Sequence, residues 1–331
     1  MNAKSKIIEM LEKNRGNAVS GERLAEEAGV TRAAVWKIVK SLCDEGYSIT
    51  SRKNKGYMLE EKSTGISEEG IALYLSETGC YELSDADFGI FVFDEIDSTQ
   101  NFGKKLAVEG KLNRALVTAD SQTAGRGRYG KSFYSPGSTG IYMSLVIRVD
   151  RDIKDFISIT FATAVAVARV IERHSDLKPM IKWVNDIWID DKKAAGILTE
   201  AVTDFESGML SYVIIGIGMN LTTEAYPDDL KDIACSIEDM DISRNRLIAE
   251  IAGEVFKVSE LLLSSEEGKG ELLSEYKKRS LVLGKNIYWN RGGVKYTGKA
   301  VDINDEGNLV VDTEEGTCIL NSGEISVRPD K

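Results

Sequence analysis

The sequence predicts a multidomain α/β protein with three parts: an N-terminal winged helix-turn-helix over residues 1–62, a central mixed α/β domain over residues 67–280, and a C-terminal small β-barrel over residues 281–331. Three observations predict this organisation. Two helices separated by a glycine turn precede a basic hairpin, strands and helices then alternate, and short strands separated by glycine turns follow Gly284. A chain of 331 residues with 42% hydrophobic content is long and apolar enough to bury more than one core.

The first part begins with amphipathic segments. Apolar residues at helical spacing predict helices over Lys4–Asn14 and Gly21–Ala28, and a third helix that follows the capping residue Thr31 and ends near Glu45. Gly29 ends the second helix, which produces the helix-turn-helix pattern. We expect the third helix to bury four apolar side chains: Ala34, Val35, Ile38 and Leu42.

A basic hairpin follows these helices. Alternating residues predict strands at Tyr47–Thr50 and Gly56–Leu59, and a charged hairpin in this position is typical of a wing. Residues 1–62 contain 12 Lys or Arg and 9 Asp or Glu, whereas the whole chain has a net charge of -11, so the head is the basic part of an acidic protein. The alternative is a three-helix packing module with a solvated hairpin. The candidate DNA-binding residues are Arg32 and Lys37 on the third helix and Arg52, Lys53 and Lys55 in the wing.

The central part alternates strand-like and helical segments. Strands are predicted at Phe88–Phe93, Arg114–Asp120, Ile141–Arg148, Met180–Trp183, Ile187–Asp190, Lys193–Ala201 and Tyr212–Ile217. Helices are predicted at Ser98–Val108, Phe156–His174, Arg244–Leu263 and Lys269–Lys278.

A glycine-rich basic stretch between two of these strands indicates a phosphate-binding loop. Residues 121–132 contain Arg126, Arg128 and Lys131 among three glycines, and residues 125–132 match the P-loop pattern G-x-x-x-x-G-K-[ST]. A P-loop must open a helix, whereas turn-forming residues and a strand follow Ser132 here. We therefore predict a flexible loop that closes over a phosphate-bearing ligand, with a plain surface loop as the alternative.

Two further segments carry polar groups at strand ends. Residues 181–187 place Lys182, Asn185 and Asp186 between two strands, with Trp183 interpreted as a core residue. Lys193 opens the next strand, where it either positions a carboxylate or phosphate or serves as an edge lysine that discourages aggregation.

Two weaker signals lie on either side of these segments. Residues 216–220 read Gly-Ile-Gly-Met-Asn at a strand end, which suits close approach of the backbone to a ligand. Residues 97–101 read Asp-Ser-Thr-Gln-Asn and cap a helix, so their side chains serve either a ligand or only that cap.

Cysteine and histidine usage excludes several functional classes. The four cysteines lack metal-ligand spacing, so neither a zinc site nor a disulfide framework is expected. His174 is the only histidine and ends an apolar helix, which excludes a histidine zinc triad. The chain begins with an amphipathic helix, and its longest apolar run is too short to span a bilayer, so we expect a cytoplasmic protein without a membrane partner.

Taken together, the ordered motifs resemble the biotin protein ligase family, and specifically its bifunctional members that also act as the biotin operon repressor. The resemblance covers essentially the whole chain. It depends on the winged head and on residues 97–99, 125–128, 182–186, 193–198, 216–220 and 323–326. It implies a ligase function for the central domain and an SH3-like barrel at the C-terminus.

The resemblance also implies roles for individual residues. Biotin binding is implied for Ser98, Thr99, Gln100, Gln122, Arg126, Gly127, Arg128 and Lys193. Nucleotide binding is implied for Arg126, Arg128, Lys131, Asn185 and Asn220. Catalytic roles are implied for Arg126, Lys182, Asp186 and Lys193, with no metal-ligating residue.

The sequence departs from the family pattern at three places. Gln100 stands where Asn usually follows Ser-Thr, and Asn101 comes one place later, so either residue could take that role. Val184 replaces the usual proline, and Tyr129 and Lys131 occupy loop positions that are often arginine.

The implied activity is formation of biotinyl-5'-AMP from biotin and ATP with Mg²⁺, followed by biotin transfer to a lysine of a biotin carboxyl carrier protein. Operator DNA and a second copy of the chain, paired in the presence of the adenylate, are the other implied partners. The alternatives are a lipoate-type ligase of the same fold, a P-loop ATPase with a DNA-binding head, and a repressor that senses a small acid without catalysis.

Overall fold

The computed structural model describes residues 2–80, 86–151, 156–203, 209–223, 226–238, 240, 242–321 and 325–327. These residues form two compact units. The first unit comprises the described residues within 1–85, 90–92 and 241–253, and the second comprises the other described residues. The predicted boundaries at residues 62, 67, 280 and 281 remain predictions.

The first unit contains the predicted winged helix-turn-helix. Its elements are α1 (Ala3–Lys13), β1 (Ala18–Val19), α2 (Gly21–Ala28), α3 (Arg32–Asp44), β2 (Ile49–Arg52), β3 (Gly56–Leu59) and α4 (Glu68–Glu77). The strands form a sheet in the order β1-β3-β2. Thr31 caps α3 by accepting a hydrogen bond from the Ala34 amide, and Gly29 ends α2 in the left-handed region, as predicted.

The buried face of α3 differs from the prediction in part. Val35 and Leu42 are buried as expected, but Val39 is buried as well, whereas Ala34 and Ile38 are only half-buried. The predicted buried face of α3 is therefore rotated about the helix axis, by part of a turn, from the observed one. Val35, Val39 and Leu42 follow the i, i+4, i+7 spacing of a single helical stripe, which explains the observed choice.

A buried polar cluster links α1 to other parts of the first unit. The Glu12 side chain is fully buried, and its Oε1 accepts hydrogen bonds from Arg15 Nη2 at 2.7 Å and Asn245 Nδ2 at 2.6 Å. Asn245 Oδ1 in turn accepts from the Ser67 amide, at the start of α4, at 3.0 Å. The cluster therefore joins three segments that are distant in the sequence.

The second unit contains most of a seven-stranded sheet in the order β4-β5-β6-β10-β9-β8-β7. Its strands are β4 (Phe88–Ile96), β5 (Arg114–Gln122), β6 (Gly140–Arg151), β7 (Met180–Lys182), β8 (Asp186–Ile189), β9 (Lys192–Thr203) and β10 (Leu210–Asn220). From β5 to β7 every neighbouring pair is antiparallel.

Three further helices belong to the second unit, and a fourth begins in the first unit and ends in the second. They are α5 (Thr99–Glu109), α6 (Phe156–His174), α7 (Arg244–Ser264) and α8 (Glu266–Lys278), of which α7 spans both units. α6 is buried over most of its length and packs against β8, β9 and α8, while α5 packs against β5, β6 and β10. The predicted strands and helices are thus present with shifts of a few residues at their ends, and α4 and β1 were not predicted.

The C-terminal part forms a five-stranded antiparallel sheet in the order β14-β13-β12-β11-β15. Its strands are β11 (Asn286–Arg291), β12 (Val294–Ile303), β13 (Leu309–Thr313), β14 (Gly316–Leu320) and β15 (Ile325–Val327). Residues 323 and 324 of the predicted C-terminal motif lie outside the described residues. Among the described helices, none combines the length and the apolar character needed to cross a membrane.

Candidate functional site

Two adjoining cavities lie in the second unit. The first has a volume of about 50 Å³, and the second has a volume of about 430 Å³. They share five lining residues: Gly127, Arg128, Phe133, Asn185 and Lys193. A ligand with a small ring system and a larger phosphate-bearing part would therefore meet these shared residues where its two parts join.

The predicted site residues divide between the two cavities. All of the predicted biotin-binding residues line the first cavity: Ser98, Thr99, Gln100, Gln122, Arg126, Gly127, Arg128 and Lys193. The second cavity is lined by Arg128, Lys131, Asn185 and Asn220 of the predicted nucleotide-binding residues and by Lys182, Asp186 and Lys193 of the predicted catalytic residues. Arg126 lines only the first cavity of the two.

The N-terminus of α5 forms one wall of the first cavity. Ser98 caps the helix, and the amide and Oγ1 of Thr99 donate to Gln122 Oε1 at 2.9 Å and 3.2 Å. Gln122 Nε2 donates to Ser135 Oγ at 3.0 Å. These hydrogen bonds fix the orientation of the Gln122 side-chain amide, which gives the small cavity a rigid polar group in its wall.

Gln100 and Asn101, which the sequence leaves as alternatives, have different surroundings. Gln100 is buried, and its Nε2 donates to the carbonyl oxygens of Leu198 and Ile214 at 3.4 Å and 3.2 Å. Asn101 instead accepts a hydrogen bond from Arg126 Nη1 at 3.0 Å. Gln100 therefore braces α5 against the sheet, whereas Asn101 holds an arginine of the loop.

The glycine-rich loop closes on itself as a short hairpin. The amides of Phe133 and Gly127 donate to the carbonyls of Gly125 at 2.9 Å and Lys131 at 2.7 Å. A Cβ atom on Gly125 would lie 2.5 Å from the Phe133 carbonyl oxygen, so this position requires glycine. Residues 133–139 form no helix before β6 begins, so the P-loop interpretation is excluded as predicted.

Arg126 and Arg128 contact different side chains. Arg128 Nη1 donates to Asn185 Oδ1 at 3.0 Å, on the side of the second cavity. Arg126 Nη2 lies 3.5 Å from Glu200 Oε1, which also accepts from Lys104 Nζ at 2.7 Å. Arg128 therefore places positive charge at the wall shared by the cavities, and Arg126 places it at the first cavity.

The segment between β7 and β8 is supported from behind. Trp183 is buried, as predicted, and its Nε1 donates to the Gly307 carbonyl oxygen at 3.0 Å, in the turn between β12 and β13. Tyr276 Oη donates to the Val184 carbonyl oxygen at 3.1 Å. Burial raises the pKa of the Tyr276 hydroxyl, so the group remains protonated and able to donate. The peptide bond between Trp183 and Val184 is cis.

Lys193 and Asp186 form an ion pair at the wall shared by the cavities, with Nζ 2.8 Å from Oδ1. The Lys193 amide donates to the Ile233 carbonyl at 2.7 Å, and its carbonyl accepts from the Cys235 amide at 3.0 Å. β9 lies inside the sheet between β8 and β10, so the edge-lysine interpretation of Lys193 does not apply. A Cβ atom on Gly196 would lie 3.0 Å from the Lys193 ammonium, so this glycine leaves room for the pair.

Lys182 and Asn220 lie at the second cavity without being part of the ion pair. Lys182 Nζ lies 4.5 Å from the centre of the Trp188 ring, a distance suited to a cation–π contact. Asn220 Nδ2 donates to the Cys235 carbonyl at 3.3 Å. Both residues line the cavity at positions from which they could reach a bound phosphate or base.

Several residues of this site were not identified from the sequence. Glu200 lies on the same face of β9 as Gly196, because successive residues of a strand point to opposite faces. This alternation is the sequence signal that could have identified Glu200. Tyr226, Leu230, Ile233 and Ala234 line the second cavity from an irregular segment, and no sequence pattern indicated them.

The winged head presents a second candidate site. All five predicted DNA-binding residues are exposed: Arg32, Lys37, Arg52, Lys53 and Lys55. Arg52 Nη2 lies 4.0 Å from Glu60 Oε1, a distance at the limit of an ion pair. The exposed cations lie on α3 and on the β2–β3 hairpin, which are the two elements that contact DNA in winged helix-turn-helix proteins.

Comparisons with known proteins match each part of the chain to a known family. The Biotin/lipoate A/B protein ligase family matches residues 92–220, an HTH domain matches residues 4–58, and a Biotin protein ligase C terminal domain matches residues 282–328. The bifunctional ligase/repressor BirA of Bacillus spizizenii is 32% identical, with 97% of each chain covered. BirA of Escherichia coli is 28% identical, with 98% of this chain and 96% of that protein covered.

A solved structure agrees with these relatives. The biotin protein ligase from Aquifex aeolicus in complex with biotin and ATP is 26% identical, with a TM-score of 0.57, 72% of this chain and 98% of that chain being covered. Relatives over the whole chain, a family match to each part and a ligase of the same fold agree with one another. The chain therefore belongs to the biotin protein ligase family and, within it, to the bifunctional ligase/repressors.

Proposed function

We propose that the protein is an ATP-dependent biotin protein ligase that forms biotinyl-5'-AMP and transfers biotin to a lysine of a biotin carboxyl carrier protein, and that it also represses biotin genes by binding operator DNA in the cytoplasm. The main structural support for the proposed ligase activity is the pair of adjoining cavities that share Arg128 and Lys193. One cavity suits the biotin ring system and the other suits the nucleotide.

The first step requires cations because two anions must approach each other. An oxygen of the biotin carboxylate attacks the α-phosphorus of ATP, the bond to the β-phosphate breaks, and pyrophosphate leaves. Arg128, Lys182 and Lys193 line the nucleotide cavity, and Arg126 lies at the biotin end. Fixed charges of this kind stabilise the charge that develops on the phosphoryl oxygens in the transition state.

The residues present fit Mg²⁺ that arrives with ATP. Among the described residues, no group of three or more His, Cys, Asp or Glu side chains could hold a metal ion. Mg²⁺ is commonly held by substrate phosphates and one or two carboxylates, and Asp186 is the carboxylate at the nucleotide cavity. When bound, Mg²⁺ would offset negative charge on the phosphates.

The second step transfers biotin to the acceptor lysine, whose amine must be neutral to attack the carbonyl carbon, with AMP as the leaving group. We propose that Lys193 contacts the activated carboxyl and phosphate of the adenylate, which frees Asp186 from its ion pair with Lys193. Asp186 would then orient the incoming amine. The loop around Arg128 and Tyr129 would cover the water-labile adenylate until the acceptor arrives.

The repressor activity follows from the exposed cations of the head. α3 would enter the major groove while the wing contacts the phosphate backbone. We propose that the adenylate promotes pairing of two copies, which would place two heads on half-sites of one operator. Binding would then depend on the concentrations of both protein and adenylate.

Pyrophosphate exchange tests the ligase activity directly. The protein is incubated with ATP, Mg²⁺ and either biotin or lipoate, and exchange of labelled pyrophosphate into ATP is measured. We expect exchange with biotin alone. Exchange with lipoate instead would favour the lipoate-type ligase, and the absence of exchange with either acid would favour a repressor without catalytic activity.

The Ser132 hydroxyl is expected to have no catalytic role, although a P-loop would use it to bind Mg²⁺. Ser132→Ala should leave the rate of biotin-dependent exchange within about twofold of the wild type, because the hydroxyl lies on a hairpin and not at the start of a helix. The measurement is exchange rate against Mg²⁺ concentration. A large loss of activity in this variant would show that the Ser132 hydroxyl takes part in the reaction although no P-loop helix follows it.

The wing is expected to bind DNA through phosphate contacts. Lys53→Ala should reduce the slope of log affinity against log salt by about 1, because one fewer counterion is released on binding. Gel-shift titrations on DNA upstream of biotin genes, with biotin and ATP present, measure this slope. Lys111→Ala removes an exposed lysine outside the head and should leave the slope unchanged. Equal slopes for the wild type, Lys53→Ala and Lys111→Ala would show that Lys53 does not contact DNA phosphates.

A further inference from the structure

The outer face of α3 carries an aromatic side chain to which the proposed function so far assigns no role. Trp36 remains 55% exposed. Lys40, one turn further along the helix, places its Nζ over the indole ring, 5.7 Å from the ring centre. An exposed tryptophan within a cationic face is suited to recognition, because the indole combines a large apolar surface with one hydrogen-bond donor.

Trp36 lies near the centre of this exposed face. Between Arg32 and Lys40, the exposed residues are Arg32, Ala33, Trp36, Lys37 and Lys40. At about 100° per residue, these five positions fall within roughly 140° of the helix circumference, and Trp36 lies inside that arc. The buried residues of the same helix, Val35, Val39 and Leu42, fall outside that arc. A surface that receives α3 must therefore meet the indole.

The charge around Trp36 identifies the kind of partner. No acidic residue occurs in α3 before Asp44, and the exposed wing adds Arg52, Lys53 and Lys55. A strongly anionic surface with grooves wide enough for a helix fits this charge, and duplex DNA has such a major groove. Base edges are contacted by the N-terminal residues of a recognition helix, and Trp36 lies in the second turn of α3.

We propose that Trp36 is a sequence-reading residue that packs its indole against the 5-methyl group of a thymine in the major groove of the operator. This inference rests on the proposed repressor function. Lysine and arginine contacts to phosphates position the protein but carry no sequence information. The thymine methyl is the apolar group that the major groove displays, and Trp36 is the large apolar side chain on the face that would enter it. Ala33 beside it leaves space for the base edge.

The test begins with duplexes selected from a randomised pool by the full-length wild type with biotin, ATP and Mg²⁺. Affinities of the wild type, Trp36→Ala and Trp36→Phe are then measured for the selected duplex and for a random duplex. We expect Trp36→Ala to lower the ratio of specific to random affinity by about tenfold or more, and Trp36→Phe to retain part of it. Pyrophosphate exchange should be unchanged in both variants, since the head contains none of the proposed catalytic groups.

Replacing single thymines by uracil identifies the methyl group that is contacted. At one position, uracil should weaken wild-type binding but have no further effect on Trp36→Ala. Lys53→Ala is the matched control, because it should lower specific and random affinity together. If Trp36→Ala also lowers both together, or if no thymine position couples to Trp36, the inference is overturned while the repressor function stands. A wild type that enriches no sequence would overturn the repressor function as well.

Discussion

Lys193→Ala is expected to slow biotin-dependent pyrophosphate exchange by about a hundredfold to a thousandfold, because one fixed charge contact to the transition state typically contributes about 2.7 to 4 kcal/mol. The Lys193 ammonium lies at the wall shared by both cavities, and backbone hydrogen bonds to Ile233 and Cys235 hold the residue in place. The alanine variant also leaves Asp186 without its ion-pair partner. The added negative charge would further oppose the approach of two anionic substrates.

The adjacent lysine provides the control for this prediction. Lys192 is exposed, and its Nζ donates to the Lys231 carbonyl at 3.3 Å. Lys192→Ala should therefore keep exchange within about threefold of the wild type, which separates the effect of position from that of net charge. Thermal unfolding of both variants should resemble that of the wild type. Equal exchange rates for the two variants would remove Lys193 from the proposed reaction.

Glu12→Ala is expected to destabilise the first unit by about 3 to 5 kcal/mol, because removing one member of a buried ion pair leaves the charge of its partner without an opposite charge. Glu12 is fully buried, and the change removes its bonds to both Arg15 and Asn245. Hydrogen exchange of the α1 amides, together with denaturant unfolding, measures the loss. At low denaturant concentration, only the amides of the first unit should lose protection against hydrogen exchange.

Glu9→Ala is the matched control on the same helix. Glu9 pairs with Lys13 one turn away, and both side chains are partly exposed, so this ion pair is expected to contribute less than about 1 kcal/mol. If Glu12→Ala costs no more than Glu9→Ala, the cluster around Asn245 does not stabilise the fold.

The parts of the fold that follow local rules could be predicted from the sequence. Caps such as Thr31, the glycine that ends α2, and the alternation along β9 and β10 depend on neighbouring residues, and they gave elements close to those observed. α4 was not predicted because it follows a polar stretch whose character is typical of a linker. Its cap, Ser67, accepts a hydrogen bond from Gly70, as in the helices that were predicted.

The candidate site could be predicted as a set of residues but not as a set of contacts. The motifs identified residues that line the two cavities. The sequence could not show that Asn101, and not Gln100, contacts Arg126, because both amides lie in the first turn of α5 and the packing of the sheet decides between them. The support of Trp183 by Gly307 joins residues 124 positions apart, a distance at which no local rule applies.

The hydrogen bond from the Trp183 indole to the Gly307 carbonyl has a consequence for how such enzymes can be recombined. The C-terminal sheet has its own strands and its own family match, so it resembles a module that could be exchanged between relatives. Its β12–β13 turn, however, supports the segment that carries Lys182, Asn185 and Asp186. A chimera that takes this sheet from another ligase must therefore keep the turn and the tryptophan as a matched pair, since a foreign turn would misplace the nucleotide side of the active site.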